Sequence, residues 1–224
     1  YNTIRRHDKY YELPRLHIYR TDSLAPSETI ELTGFLDNSR RKMLVEETKG
    51  ADKIKGIKFD YLVGNPPYVR IEKIPEEKRD YYKEKYQSAK GRFDLYMLFI
   101  ERGLEWLEKN GKLAFIASNR FMKTDTGMKL RELITRSSKI EQIVDFGDIS
   151  LFEAATNYPC IFVFQKEKTT DNKIWYVHVR KPEENMMTRL RNSFAKEISD
   201  EFIQANLVEQ KLLTEDVWRP LSTQ

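Results

Sequence analysis

The stretch Asn65-Pro66-Pro67-Tyr68 concentrates groups that could do chemistry. An Asn side-chain oxygen and the carbonyl of the first proline are both acceptors that carry no titrating proton. Two consecutive prolines fix φ and remove two backbone donors, which leaves a stiff, extended turn with its carbonyls turned outward. Two such acceptors side by side could take the two N–H bonds of a planar amide or amine nitrogen. A nitrogen of that kind is a poor nucleophile because its lone pair is delocalised. Acceptors that favour its tetrahedral form act on the transition state rather than the ground state. Tyr68 could then stack on a flat ring, a contact worth roughly 1–3 kcal/mol per base. The bland reading is a turn that merely ends a strand and buries a tyrosine. Asn and Tyr flanking the Pro-Pro pair directly after an apolar run argue for an acceptor site instead.

Such a turn needs rigid support, and the surrounding sequence supplies it. Phe59-Asp60-Tyr61-Leu62-Val63-Gly64 is short, rich in aromatic and β-branched residues, and stops at Gly-Asn-Pro-Pro, which predicts a buried strand leading into the turn. Residues 16–24 read as a short strand ending in a polar turn at Asp22, itself a common turn former. A charged helix is expected over 40–48. Asp37 with Glu47-Thr48-Lys49 mimics the acidic-x-Lys spacing of metal-dependent nucleases, but no strand carries the pattern, and no metal site is expected. Between Val69 and Arg92 basic residues, Arg70, Lys73 and Arg92 among them, outnumber acidic ones and alternate with Tyr81, Tyr82 and Tyr86. This stretch reads either as a basic, aromatic flap over a phosphodiester backbone or as a solvated helix whose tyrosines face the core. Pro75 followed by Glu76 and Glu77 marks a helix first turn within it.

Phe93 to Lys109 predicts a largely buried helix, with Phe93, Tyr96, Met97, Ile100, Leu104 and Leu107 on one stripe and Asn110-Gly111 as its stop. Asp94 fits its N-cap. A buried strand at 112–117 follows, then a helix at about 126–137 and a strand at 140–146. Alternating helices and strands predict an α/β fold with a parallel sheet. The strands at 158–164 and 174–179, joined by a charged turn, predict an antiparallel hairpin at its end, with polar, helical sequence beyond Arg180.

Composition sets the outer bounds. The 224 residues have 40% hydrophobic content and no run long enough for a membrane span, so a soluble protein without a membrane partner is expected. A formal net charge of +4 permits a nucleic-acid partner without demanding one. The one cysteine, Cys160, lies in an apolar run, which excludes an internal disulfide and a thiolate metal cluster and fits a reducing cytoplasm. The chain opens on Tyr1 rather than Met, and a fragment of something longer is expected.

The turn at Asn65 resembles the Asn-Pro-Pro-Tyr motif of the amino-methyltransferases, where it closes the fourth strand of a Rossmann-like sheet. Residues 15–165 look like the second half of the catalytic domain of a DNA adenine-N6 methyltransferase of the type IIG restriction–modification kind. Phe93-Asp94-Leu95-Tyr96 matches the segment bordering the cofactor pocket. Gly111-Lys112-Leu113 through Asn119-Arg120-Phe121 matches the fifth strand and its loop. Leu151-Phe152-Glu153-Ala154-Ala155-Thr156-Asn157 matches the loop that brings an aromatic to a flipped base. The resemblance thus implies S-adenosylmethionine as cofactor, held by Asp22, Asn65 and Asp94; Asn65, Pro66, Pro67 and Tyr68 as the catalytic turn; Tyr68 and Phe152 as base-stacking groups; and Arg70, Lys73, Arg92 and Arg120 on the DNA backbone. It implies double-stranded DNA as partner, a catalytic domain over 1–183, a helical linker over 184–224 toward a target-recognition domain, and a possible nuclease elsewhere in the polypeptide.

One part of the family pattern has no match. The glycine-rich loop and the acidic residue that hold the cofactor's methionine and ribose should precede Asp22, and no glycine here sits in a strand–glycine–helix setting. Weak cofactor binding is therefore expected unless another segment completes the pocket. Release-factor glutamine and ribosomal-RNA guanine methyltransferases share the turn and stand as the rival enzymatic reading. A methyltransferase-like DNA-binding module without catalysis is the third.

Overall fold

A computed structural model describes residues 22–24, 56–149, 151, 158–169 and 171–218. The chain divides into two compact units, 1–57 and 58–224. In the first, the described residues form a local turn in which the Leu24 amide donates to the Asp22 carboxylate at 3.1 Å. The expected strand at 16–24 otherwise falls outside the described residues, as do the helix at 40–48 and the Glu47-Thr48-Lys49 pattern.

The second unit is a seven-stranded sheet. Its elements in chain order are β1 (Phe59–Gly64), α1 (Glu76–Lys85), α2 (Leu95–Trp106), β2 (Leu107–Ser118), α3 (Arg120–Lys123), α4 (Met128–Ser137), β3 (Lys139–Asp145), β4 (Pro159–Gln165), β5 (Lys173–Val179), α5 (Met186–Ser193), β6 (Ile198–Ser199) and β7 (Ile203–Glu209). The strands lie in the order β1-β2-β4-β3-β5-β7-β6. β1 runs parallel to β2 and β3 parallel to β5, whereas β4 is antiparallel to both β2 and β3. The α/β expectation therefore holds, with β1, β2, β3 and β5 all pointing one way.

The expected hairpin does not form. β4 and β5, although joined by a short charged turn, do not pair; β4 wedges between β2 and β3. Its alternate residues Cys160, Phe162 and Phe164 are fully buried, and Phe162 stacks on Phe164 at 4.6 Å. A central slot buries those aromatics more completely than a sheet edge would. The sheet still ends antiparallel, through β7 against β5 and β6 against β7. Among the described residues of 184–224, expected to be a helical linker, one α-helix forms, and β7 then joins the sheet along the whole of β5.

β1 is also less buried than its sequence suggests. Tyr61 is 74% and Val63 85% exposed, because β2 is its one strand neighbour among the described residues. The buried helix is present but stops at Trp106; Leu107 pairs with Phe59, and the register then shifts across 108–111 before pairing continues at Tyr61 and Lys112. α2 packs on β2 and α4 on β3, while Leu190 of α5 joins Val144, Val177, Ile203 and Ala205 in a core cluster.

The last described residues are fastened to α3, the short helix after β2. Trp218 donates its backbone amide to the Met122 carbonyl at 2.9 Å and packs edge-on against Phe121. Arg131 of α4, only 1% exposed, donates to the carbonyls of Phe121 (2.6 Å), Thr124 (2.7 Å) and Glu215 (2.8 Å).

Candidate active site

The four residues of the turn follow directly on β1, at the end toward which the parallel strands point. In open α/β sheets that end is where ligands bind. Pro66 is buried, Asn65 and Pro67 are exposed, and Tyr68 is half-buried. The Val69 amide donates to the Pro67 carbonyl at 3.1 Å, closing a three-residue turn on Tyr68. Beyond it the backbone is stitched to the start of α2: the Leu95 amide donates to the Val69 carbonyl at 2.8 Å, and Arg70 faces Asp94 in an antiparallel bridge. This stitch is what brings Asp94 to the turn.

Tyr68, Arg70, Asp94, Tyr96, Ser118, Arg120 and Tyr158 line one small cavity of about 50 Å³. The Tyr68 hydroxyl donates to the Ile116 carbonyl of β2 at 3.2 Å, and its ring stands 6.3 Å from that of Tyr96. Burial, aided by the nearby Cys160 thiol, pushes the Tyr68 phenol up to about 12, so it stays neutral at physiological pH. Burial likewise holds the Tyr96 phenol well above its ordinary value, and its hydroxyl completes no hydrogen bond although the Phe121 backbone is close by. Asp94 occupies the N-cap position of α2 but makes no side-chain cap bond. Burial raises its carboxyl pKa, against the opposing charges of Arg120 and Arg70.

Of the residues singled out from sequence, the structure thus brings Tyr68, Arg70, Asp94 and Arg120 to one cavity, with Asn65 exposed beside it. Two cations expected on a nucleic-acid backbone, Arg70 and Arg120, are among the residues that line that cavity. Lys73 and Arg92 are exposed away from it, and Arg92 pairs with Glu72 at 2.6 Å. In the basic stretch Tyr82 and Tyr86 are core residues, as in the solvated-helix reading, while its lysines remain exposed. Phe152 lies outside the described residues. Asp22 belongs to the other unit.

Three lining residues were not named as site residues. Tyr96 lay within the segment 93–96 matched to the border of the cofactor pocket but was read as part of the apolar stripe of α2, and Ser118 carries no sequence signal of its own. Tyr158 sits at φ +46°, a left-handed conformation that aromatic residues rarely adopt, and the Asn119 amide donates to its carbonyl at 2.7 Å. Its place directly before a proline and a buried strand was the available clue.

A Rossmann-like sheet that ends a parallel strand in Asn-Pro-Pro-Tyr, with a polar and aromatic cavity at that end, has the architecture of a class I methyltransferase. The family model of the Eco57I restriction-modification methylases matches residues 13–152, and the chain belongs to that family. It is 44% identical over 124 residues to the type II methyltransferase M.BstVI of Geobacillus stearothermophilus, covering 55% of this chain and 22% of that one. It is 39% identical over 121 residues to the type II restriction enzyme and methyltransferase RM.Eco57I of Escherichia coli, covering 53% and 12%. The chain therefore spans less than a quarter of either relative. The type IIG restriction endonuclease BpuSI shares its fold, with a TM-score of 0.56 and 16% identity over 71% of this chain and 21% of that one. The cofactor of this family is S-adenosylmethionine. Among the described residues no helix is long and apolar enough to cross a membrane.

Proposed function

We propose that this chain carries the acceptor side of the catalytic domain of a DNA methyltransferase that methylates N6 of an adenine flipped out of the duplex. The observation that carries the reading is the juxtaposition of the Asn65 turn with a cavity walled by Tyr68, Tyr158, Arg70 and Arg120. The Asn65 side-chain oxygen and the Pro66 carbonyl accept the two N6 hydrogens, Tyr68 stacks on the ring, and Phe152 is a further stacking candidate. Arg70, Lys73, Arg92 and Arg120 supply positive charge for the flanking phosphates. Flipping is needed because N6 cannot reach a methyl donor from inside the base stack.

The residues present fit one side of S-adenosylmethionine. The desolvated Asp94 carboxyl, unspent as a helix cap, gives that side a polar group with capacity to spare. Asp94 and Asn65 would hold the cofactor, which supplies an electrophilic methyl group on a sulfonium. Tyr68 is not a base in this scheme, since its phenol stays protonated and bonded to Ile116. Its part is to orient the ring. Further domains for target recognition, or a nuclease, belong to the same reading.

The test is transfer of labelled methyl groups from S-adenosylmethionine to DNA, ribosomal RNA and release factor by the protein as it occurs naturally. Label in adenine of DNA that disappears with Asn65→Ala is the expected result. Label in RNA or in a glutamine side chain overturns the substrate, and no label in any of them overturns the enzymatic reading in favour of a DNA-binding module.

A further inference from the structure

Behind the cavity, and outside its lining, lies a buried carboxylate saturated with donors. Asp145 ends β3 and is only 1% exposed. One oxygen accepts from the Asn119 side-chain amide at 2.6 Å and from the Gly147 amide at 2.9 Å. The other accepts from the Tyr176 hydroxyl of β5 at 2.8 Å and pairs with the Lys123 ammonium at 2.8 Å. Four donors from three stretches, 119–123, Gly147 and β5, converge on one side chain. Gly147, at φ +56°, lets the chain turn back sharply enough to offer its amide, and a Cβ there would sit 3.1 Å from the His178 ring.

Asn119 is the informative partner. It is 2% exposed and stands between Ser118 and Arg120, both of which line the cavity. While its side chain is held by Asp145, its backbone amide donates to the carbonyl of Tyr158 at 2.7 Å. We infer that Asp145 is a positioning residue for the methyl-acceptor cavity, acting through Asn119 to fix Ser118, Arg120 and the left-handed Tyr158 in their places on its wall. The inference rests on the cavity being the methylation site proposed above. Its physical basis is that an amide clamped at both ends has one conformation, whereas an unclamped Asn in a loop has several, and an acceptor site misplaced by about 1 Å turns over far more slowly.

The test uses the naturally occurring protein with Asp145→Asn and, separately, Asn119→Ala. Asp145→Asn keeps the shape but cannot accept from all four donors; Asn119→Ala leaves the carboxylate with its other three donors and removes only the tether. Hydrogen exchange at 118–121 is measured first, because it needs no turnover. The expected result is exchange at least tenfold faster there in both variants, with β1 and α2 unchanged. With the methylated adenine mapped, kcat falls tenfold or more while KM for DNA and for S-adenosylmethionine stays within threefold. 2-Aminopurine at the target position also shows an altered flipping signal. Exchange that stays protected overturns the inference whether or not the protein methylates anything. Faster exchange with unchanged kcat overturns it too, as does a loss of kcat, both KM values and global protection together, since that describes a merely structural residue. A wild-type protein that labels no substrate refutes the function proposed above, and the exchange measurement still decides the tether.

Discussion

Replacing Arg131 by methionine tests how a buried cation is kept in this fold. The three hydrogen bonds from its guanidinium end on the Phe121, Thr124 and Glu215 carbonyls at 2.6–2.8 Å. Burial pulls its pKa down, with Asp125 and Asp216 partly restoring it. Charge-assisted bonds contribute about 1.5–3 kcal/mol each, so three set an upper limit of roughly 5–9 kcal/mol. The desolvation of the guanidinium, which methionine does not suffer, offsets a large part, and the methionine stem keeps most of the packing. Carbonyls left bare near the surface regain water. The expected net loss is about 3–4 kcal/mol, or roughly 6–16 °C in Tm for a domain of this size. Urea unfolding followed by Trp218, which packs against Phe121, should show a lower midpoint at unchanged slope. Arg131→Lys should fall between, since a single ammonium cannot span all three acceptors. A loss below about 1 kcal/mol would refute the reasoning, because the three carbonyls would then be satisfied without the guanidinium.

Other outcomes can be stated briefly. Tyr68→Ala should weaken binding of DNA carrying an extruded adenine by roughly 10- to 100-fold, from about 1–3 kcal/mol of stacking, whereas Tyr68→Phe loses only the bond to Ile116 and should stay within a few-fold in equilibrium titrations. At Gly127 an added Cβ would meet the Phe121 carbonyl oxygen at 1.9 Å, so Gly127→Ala should cost more than about 3 kcal/mol in chemical denaturation. Burial alone would raise the Asp145 carboxyl pKa, but hydrogen bonds from Lys123, Asn119 and Gly147, with the charge of Lys123, bring it below its ordinary value. A carboxyl lowered in the folded state adds stability above its unfolded pKa and loses it as pH falls through the folded one. Stability measured downward from about pH 4 should therefore fall more steeply in the wild type than in Asp145→Asn. His178, Tyr176 and Cys160 also face this carboxylate, but the Asp145 comparison isolates its own share.

The sequence made the turn, β1, α2 and the α/β alternation legible because each is written in local terms: proline punctuation, a short apolar run, a 3.6-residue stripe. Pairing partners are not local. The charged turn between β4 and β5 signals that the chain reverses, yet nothing in it says that β3 will lie between the two strands. The site was half legible for the same reason. Asn65 to Tyr68 form one contiguous motif, and Asp94 opens a helix, but Arg70 and Arg120 could be read only as generic cations until the parallel pairing of β1 with β2 carried Arg120 to the turn's end of the sheet. Arg131 and Asp145 were invisible. One looks like an ordinary charge on an amphipathic helix and the other like a polar strand end, although a carboxylate closing an apolar strand at the ligand side of such a sheet is a clue worth following.

The outward edge of β1 has a consequence for handling the protein. Among the described residues no strand lies beyond it, and Tyr61 and Val63 are exposed along it. An edge of this kind is a template that welcomes any extended chain, including another molecule's. Whatever occupies it lies alongside the strand that carries Asn65, so accidental pairing in a concentrated preparation would both drive association and crowd the acceptor turn. Solubility and turnover would then decline together as concentration rises, and dilution would restore both.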